Sequence, residues 1–167
     1  SFLMAQKQYN VWYFATDNNV GKGIALDFNS GAPVVSATSK MDYSETSAGY
    51  CNSVGNILFY TDAGTIWNRQ NKPMPNGGGL GSSFSTSQGI VVVPFQGDTN
   101  KYYLFCNDGA WSGTGEGLFY SVVDMTLDNG LGDITSSKKI HLLNNTSEIL
   151  TAVRHSNGCD YWVITCS

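Results

Sequence analysis

The chain has 167 residues, of which 41% are hydrophobic and only 13% are charged, with a net charge of −4 and an isoelectric point near 4.9. Its nine lysines and arginines are scattered, which disfavours nucleic-acid binding through a basic stripe. No apolar run approaches the roughly 18 residues of a membrane span. Glycine is abundant, at 19 residues, and no long segment has a 3.6-residue period, so helices have little support.

The chain opens with SFLMAQ, an apolar stretch that ends in the small residue Ala5. This pattern is typical of the end of a signal peptide, with cleavage before Gln6, although the charged beginning of such a peptide is absent. We therefore interpret residues 1–5 as a signal-peptide remnant and residues 6–167 as the folded domain. The alternative is an ordinary apolar first strand.

A motif of aromatic and apolar residues recurs along the chain: VWYFATD from Val11, NILFYTD from Asn56, YYLFCND from Tyr102 and, more weakly, YWVITC from Tyr161. The first three copies close on an aspartate, and these aspartates lie 45 and 46 residues apart. Because the motif is continuously apolar rather than alternating, it predicts strands that are buried on both faces.

The surroundings of the motif repeat as well. Turns of the types SVGN, GDTN and SNGCD precede three of the copies, and Gly, Asn and Asp tolerate the positive φ angles of tight turns. A candidate strand comes before each turn, and further strands follow each of the first three copies. Four short strands with a period near 45 residues are typical of a β-propeller blade. A β-sandwich with similarly spaced strands is the alternative.

The sequence thus predicts an all-β chain of four-stranded antiparallel blades, similar to WD-repeat or YVTN-repeat propellers. The predicted units are a partial blade at 11–38, blades at 48–76 and 87–143, and the start of another blade at 147–167. Since propellers close with about four to eight blades, we expect an incomplete propeller of about three to four blades, a piece of a larger protein. The missing first strand of the first blade would come from further downstream.

The four cysteines do not decide the cellular compartment. Cys159 and Cys166 lie on one predicted strand about 23 Å apart, too far for a disulfide. A disulfide between Cys51 and Cys106 would need a favourable register of neighbouring blades. We expect buried free thiols at Cys106 and Cys166. The chain has only two histidines, His141 and His155, and no C-x-x-C motif, so we predict no metal site and no cofactor.

Several blocks of the chain resemble a known family. QKQYNVWYF, ALDFNSGAPV, GNILFYTDAGTIWNRQNKPMPNG, YSVVDMTLDNGLGD and LTAVRHSNGCDYWVIT are similar to the N-terminal propeller region of large secreted Bacteroidetes proteins. Those proteins often end in a gliding-motility-associated C-terminal domain, which is a sorting signal for the type IX secretion system. The resemblance covers Gln6 to the C-terminus and implies secretion or display on the outer cell surface. It supplies no catalytic residues, and the sorting domain itself is absent from this chain.

Two classes of propeller-fold enzyme, sialidases and other glycosidases, are alternatives to a binding module. Sialidases hold the substrate carboxylate with three arginines, but this chain has only Arg69 and Arg154. Other glycosidases use paired carboxylates, for which the repeated Asp17, Asp62 and Asp108 are candidates. We interpret these aspartates instead as turn caps, because repeated residues in repeat folds usually serve the geometry of the unit.

Weak motifs add little. DNGLGD, from Asp128, lacks the alternating ligands and distal glutamate of an EF-hand calcium loop and predicts a hairpin turn. NGGGLGSS, from Asn76, has no lysine and no following helix, so it predicts a loop between blades rather than a phosphate site. No G-x-S-x-G hydrolase motif is present.

Aromatic residues near loops are the better candidates for ligand binding. Trp111 lies in the glycine-rich segment NDGAWSGTGEG, and we predict a glycan-binding site formed by Trp111 with Asn107, Asp108 and Glu116. Trp67 is also near a loop, but its position in a strand favours packing between blades.

Taken together, these features predict a non-enzymatic, exported surface module for adhesion or recognition, with a glycan or a surface protein as its ligand and with the remainder of its own longer chain as a partner. The alternatives are a propeller glycoside hydrolase or lyase and a purely structural spacer in a large surface protein.

Overall fold

The computed structural model of the protein describes residues 7–15, 23–42, 44–83, 85–108 and 116–166. Within these ranges the chain forms mostly β-strands, together with one 3-10 turn at Lys7–Tyr9 and one four-residue helical turn at Leu127–Gly130. The strands, in chain order, are β1 Val11–Phe14, β2 Gly23–Asp27, β3 Val34–Ser39, β4 Ala48–Cys51, β5 Ile57–Thr61, β6 Thr65–Asn68, β7 Pro73–Gly78, β8 Ile90–Pro94, β9 Lys101–Asn107, β10 Leu118–Asp124, β11 Asp133–Ile134, β12 Ile140–Leu143, β13 Leu150–Arg154 and β14 Tyr161–Thr165.

These strands form successive antiparallel sheets. The first sheet has the order β1-β2-β3 and the second the order β4-β5-β6-β7. The third sheet contains β8 to β12, and β13 and β14 form a C-terminal hairpin. The prediction of an all-β chain built from several antiparallel sheets is confirmed. Within the described ranges, no helix has the length and apolar character that a membrane crossing demands.

The third sheet differs from the predicted four-stranded unit. Its fourth position, beside β10, is shared by two short strands: β11 pairs with Val123 and Asp124, and β12 pairs with Leu118 to Tyr120. Between them the chain bulges but stays bonded to β10, since Thr135 N donates to Val122 O and Val122 N donates to Ser137 O, and Lys139 adopts a left-handed φ of 49° just before β12. A two-residue strand is too short to show a periodic pattern, which is why the sequence predicted β12 but not β11.

The second sheet is buried on both of its faces. On β5, Phe59 contributes to the core shared with the third sheet, whereas its neighbour Tyr60 contributes to the core shared with the first sheet. Ile66 and Trp67 divide between the two cores in the same way on β6. Successive strand residues point to opposite faces, so a sheet between two neighbours needs apolar residues at every position. This is the cause of the uninterrupted apolar motif.

A repeated threonine supports the start of three strands. Thr46, Thr86 and Thr146 are all buried, and each lies four residues before a core residue of β4, β8 or β13. The Thr46 hydroxyl accepts a hydrogen bond from Gly89 N at 3.2 Å, and the Thr146 hydroxyl donates one to Asn107 Oδ1 at 3.2 Å. Both bonds therefore connect one sheet to the next. The Thr-Ser pairs at these positions are a repeat that the sequence analysis missed.

The two ends of this series of sheets expose apolar side chains. On the first sheet, Val11 and Tyr13 face the second sheet, so Trp12 and Phe14 point away from it, and Trp12 is 51% exposed. On the C-terminal hairpin, Trp162 is 60% exposed. Neither outward face is covered by another described sheet.

The cysteine predictions were half right. All four thiols are free, and Cys106 is buried as predicted. Cys166 is exposed, so the prediction of a buried thiol there is wrong. The reason is that Cys166 follows the last strand of a two-stranded hairpin, which has no described sheet on its outer side.

Candidate functional site: a tyrosine-lined cleft

Three turns at equivalent positions of their sheets border a large cleft. They join β4 to β5, β8 to β9 and β13 to β14, and each contains a glycine with positive φ, namely Gly55, Gly97 and Gly158. Each turn is also closed by its own side chain. Asn52 Oδ1 accepts hydrogen bonds from the backbone of Val54 and Asn56, and Asp98 and Asn157 serve the other two turns in the same way. The turns are therefore rigid borders.

The cleft between these turns has a volume of about 760 Å³, which falls within the usual range for small-molecule sites. Its lining comes from the turns, from the strand ends beside them and from the 3-10 turn before β1. The lining residues are Gln8, Tyr9, Tyr50, Cys51, Asn52, Ser53, Pro94, Phe95, Gln96, Gly97, Thr99, Lys101, Tyr102, Arg154, Gly158, Cys159 and Tyr161. We call this site the tyrosine cleft.

Four tyrosines from different parts of the fold meet in the tyrosine cleft. The Tyr9 and Tyr50 rings pack edge to face with centroids 5.4 Å apart, and Tyr50 packs on Tyr102 at 4.8 Å. Burial is the main cause that raises the pKa of Tyr50, and the nearby phenols of Tyr9, Tyr102 and Tyr161 raise it further. The same two causes, burial and then Tyr161, raise the pKa of Tyr9. Burial also raises the pKa of Tyr102, so the phenols of Tyr9, Tyr50 and Tyr102 keep their protons at physiological pH.

The charged residues of the tyrosine cleft are both cationic. Lys101 Nζ lies 2.9 Å from Asp98 Oδ2 and 3.8 Å from Asp124 Oδ2, so its charge is largely balanced. Arg154 donates from Nε and Nη2 to the carbonyl oxygen of Gly158, at 3.0 Å for Nε, and among the described residues it forms no ion pair. The net positive charge of the lining therefore comes mainly from Arg154.

One buried acceptor in the lining lacks a donor. Gln8 Oε1 is inaccessible to solvent and has no hydrogen-bond partner among the described residues. An unsatisfied buried oxygen costs about 1–3 kcal/mol, so such an atom usually marks a place where a water or a ligand supplies the missing donor.

A second, smaller cleft of about 310 Å³ lies between β1, β4 and β8. Its walls are mostly aliphatic and aromatic, and Ser47 already uses its hydroxyl to donate to Tyr13 O at 2.8 Å. Because binding sites combine apolar walls with a few free polar groups, the tyrosine cleft is the better candidate.

The predicted glycan site around Trp111 is only partly described. Trp111 lies in 109–115, outside the described residues. Asn107 is fully buried, and its amide nitrogen donates to Ser147 O at 2.9 Å and to Thr165 Oγ1 at 3.2 Å. The prediction that Asn107 contacts a ligand is therefore wrong. Its side chain is needed to hold the C-terminal hairpin against the third sheet.

The other two residues of that predicted site lie on either side of the same loop. Asp108 Oδ2 accepts from Glu116 N at 3.4 Å, so the two ends of the loop are close together. Glu116 is exposed, and its carboxylate pairs with Lys139 Nζ at 2.8 Å. Both remain candidates for ligand contact, although neither lines the tyrosine cleft.

The repeated aspartates have a local role where the structure describes them. Asp62 Oδ1 accepts hydrogen bonds from Gly64 N at 2.9 Å and from Thr65 N at 2.8 Å, across the turn between β5 and β6. Asp108 follows β9 and accepts the bond from Glu116 described above. Asp17 lies in 16–22, outside the described residues, as does the predicted signal-peptide remnant at 1–5.

Trp67 is buried in the core between the first and second sheets, stacked on Tyr60 with centroids 5.4 Å apart. It is therefore a core residue, as its strand position favoured. The two histidines are used locally as well: His141 Nε2 lies 3.1 Å from Glu116 O, and His155 Nδ1 accepts from Asn157 N. In the described part of the chain, no three His, Cys, Asp or Glu side chains group as metal ligands.

The tyrosine cleft was not predicted from the sequence, although the sequence carries part of the signal for it. The three turns were predicted to be equivalent, and equivalent turns of neighbouring sheets lie at the same end of the fold. Lys101 follows the second turn and Arg154 precedes the third, so both could have been placed there. Tyr102 and Tyr161 open two copies of the repeated motif and could have been placed there as well, whereas Tyr9 and Tyr50 lie outside the motif.

No family model matches the chain, and no match was found among curated proteins or solved structures.

Proposed function

We propose that this chain is a non-enzymatic β-propeller segment of an exported bacterial surface protein, and that it serves recognition or adhesion by binding a ligand in the tyrosine cleft. The observation that carries the proposal is the cleft itself: rigid turns surround a cavity that combines aromatic rings, amides and an unsatisfied buried oxygen. Sites of this composition suit sugars, whose ring faces pack on aromatic rings and whose hydroxyls bond to polar groups.

The propeller arrangement is supported by the order and burial of the sheets. Each sheet is a continuous segment of the chain, β4 packs near β8, and β8 packs near β13. The second sheet contributes to a core on each face, as a blade between two neighbours does. The exposed apolar faces at both ends, at Trp12 and Trp162, are what further blades would cover.

Binding is favoured over hydrolysis by the chemistry of the lining. Glycosidases place two carboxyl groups about 5 to 9.5 Å apart on either side of the scissile bond. Among the residues that the structure describes, no aspartate or glutamate lines the tyrosine cleft. The export proposal depends on the resemblance to secreted surface proteins and on the acidic, weakly charged composition.

A glycan array probed with the intact protein tests the proposal. Replacing Tyr161, which lines the cleft, with alanine should abolish the array signal. Replacing its neighbour Trp162, which is exposed on the outer face of the hairpin, should leave the signal unchanged and provides a matched control. Product analysis on each bound glycan should show no shortening. Binding that survives Tyr161→Ala, or cleavage of the glycan, would contradict the proposal. Export is tested separately by protease digestion of intact source cells, which should remove the protein from the surface.

A further inference from the structure

The charge of the tyrosine cleft is opposite to that of the protein. The whole chain carries a net charge of −4, yet the described residues that line the cleft include one lysine, one arginine and no acid. Asp98 and Asp160 lie in the bordering turns but do not line the cleft; Asp98 forms an ion pair with Lys101, whereas the Asp160 carboxylate accepts a bond only from the neutral amide of Asn157 among the described residues. A cation concentrated in a cleft of an acidic protein indicates selection for an anionic ligand.

Arg154 is held in position but not neutralised. Its Nε and Nη2 atoms both donate to Gly158 O, which fixes the guanidinium plane against the third turn. Among the described residues the Nη1 atom forms no hydrogen bond, so its two N–H groups are available. A fixed guanidinium with free N–H groups suits a carboxylate better than a neutral hydroxyl.

The rest of the lining suits a sugar ring. Tyr9 is 46% exposed and Tyr161 is partly exposed, so their rings offer faces and phenol groups beside Arg154. Gln8, Asn52 and Gln96 also line the cleft, and their side-chain amides suit sugar hydroxyls. An acidic peptide would satisfy Arg154, but it offers side-chain carboxylates rather than a hydroxylated ring to the aromatic walls.

We propose that the tyrosine cleft binds an acidic polysaccharide through a uronic acid residue, whose carboxylate pairs with Arg154 while its ring packs against Tyr9 and Tyr161. This inference rests on the proposed function and names the ligand class of the same site. Lys101 contributes to the positive potential but, because it is already paired, is secondary to Arg154.

The test compares one sugar with and without its charge. Isothermal titration calorimetry of the intact protein uses an oligogalacturonate, the same oligosaccharide as its methyl ester, and poly-glutamate. We expect the oligogalacturonate to bind at least about tenfold more tightly than the ester, since hydrogen bonds to charged groups are the stronger class. Affinity should also fall as salt increases, because the charges are partly exposed.

Substitution of the two arginines locates the effect. Arg154→Gln should weaken oligogalacturonate binding about 10- to 100-fold and binding of the ester much less, because the ester carries no charge to pair with the guanidinium. Arg69→Gln is the matched control, because Arg69 is the only other arginine, is exposed, and donates to Gly130 O outside the cleft. Thermal unfolding of both variants shows whether the fold is kept, and Arg154→Lys, which retains the charge, should recover part of the affinity.

Different results would contradict the acidic-sugar ligand and the more general glycan recognition. Equal affinity for the acid and its ester, or full binding by Arg154→Gln, would overturn the assignment of an acidic sugar while leaving glycan recognition intact. Binding of poly-glutamate as tight as that of the oligogalacturonate would overturn it in favour of an acidic peptide. If no saccharide binds in the calorimetry and none binds on the array, both the acidic-sugar assignment and the proposed glycan recognition are overturned.

Discussion

Tyr13 of the first sheet and Tyr60 of the second sheet stack face to face, with ring centroids 4.0 Å apart and planes inclined by only 6°. Tyr60 stacks in turn on Trp67, so three aromatic rings form a column between the two sheets. The Tyr60 hydroxyl accepts from Lys40 N at 3.1 Å and donates to Asn71 Oδ1 at 2.9 Å. This one side chain thus connects the core to two loops.

Two substitutions of Tyr60 should distinguish how much its ring packing and how much its hydroxyl hydrogen bonds contribute to the free energy of unfolding. Because Tyr60 is fully buried, Tyr60→Ala should lower the free energy of unfolding by about 3–5 kcal/mol. Tyr60→Phe keeps the rings stacked and removes only the hydroxyl, so it should cost about 1–2 kcal/mol. Urea denaturation followed by fluorescence measures both values. A larger loss for the phenylalanine variant than for the alanine variant would show that the column does not stabilise the fold.

Because the Asp62 carboxylate caps a turn, replacing it with asparagine and with alanine should lower the stability by different amounts. Asp62→Asn keeps an oxygen that can accept from Gly64 N and Thr65 N, whereas Asp62→Ala leaves both donors without their partner. We expect the alanine variant to lose about 1–2 kcal/mol of stability and the asparagine variant less than half of that. Equal losses in urea denaturation would mean that the oxygen does not act as a cap.

Asp62 also predicts a pH dependence with a definite sign. Burial is the largest effect on its carboxyl and raises its pKa above the usual 3.8, although the bonds from Thr65 and Gly64 act in the opposite direction. The folded protein therefore binds this proton more tightly than the unfolded chain. Its contribution to stability is complete below the unfolded pKa and is lost as pH rises through the folded pKa.

Comparison with Asp62→Asn isolates this contribution, because asparagine does not titrate. The difference in the free energy of unfolding, wild type minus variant, should fall as pH rises from about 3 to about 6. If that difference rises over the same interval, the hydrogen bonds outweigh burial and the sign is reversed.

The cysteines should react in two classes. Cys159 and Cys166 are exposed, whereas burial raises the pKa of Cys51 to about 11 and that of Cys106 to about 12. Thiolates are the reactive species, so iodoacetamide at mildly alkaline pH should label the first pair quickly and the second pair only after unfolding. Mass spectrometry of the labelled peptides identifies the sites. Rapid labelling of Cys106 in the folded protein would contradict its burial.

Replacement of Asn107 should destabilise the C-terminal hairpin without destabilising the rest of the fold. Its amide bonds to Ser147 O and Thr165 Oγ1, and its oxygen accepts from Thr146, so Asn107→Ala removes three contacts to the C-terminal segment. We expect faster amide hydrogen exchange in β13 and β14, with β5 and β6 unchanged. Ser82→Ala is a suitable control, since its hydroxyl bonds only to backbone oxygens of Ser83 and Asn107. Uniformly faster exchange would mean that Asn107 supports the whole fold.

Much of the fold could be read from the sequence because its signals are local. The motif at Asn56 to Asp62 predicted the strand β5, and the glycine in SVGN predicted the turn before it, since each depends on a few adjacent residues. The same is true of the oxygen at Asp62, which bonds to groups two and three residues away.

The site could not be read in the same way, since its parts come together only when sheets pack. Tyr9, Tyr50, Tyr102 and Tyr161 are distant in sequence, and only Tyr102 and Tyr161 hold equivalent positions in the repeated motif, so no pattern joins all four. For Asn107 the sequence was misleading. Because it lies beside a glycine-rich loop it was predicted to be at the surface, yet it is completely buried.

The sequence by itself determined the strands, the turns and the need for burial on both sheet faces, because hydrophobic period and turn chemistry act within a few residues. Only the tertiary structure decided which face each aromatic residue occupies, which thiols are exposed, and that Arg154 faces a cleft of tyrosines. Those outcomes depend on which sheets become neighbours, and that choice is made by contacts between residues 40 or more positions apart, such as Thr46 with Gly89 and Asn107 with Ser147.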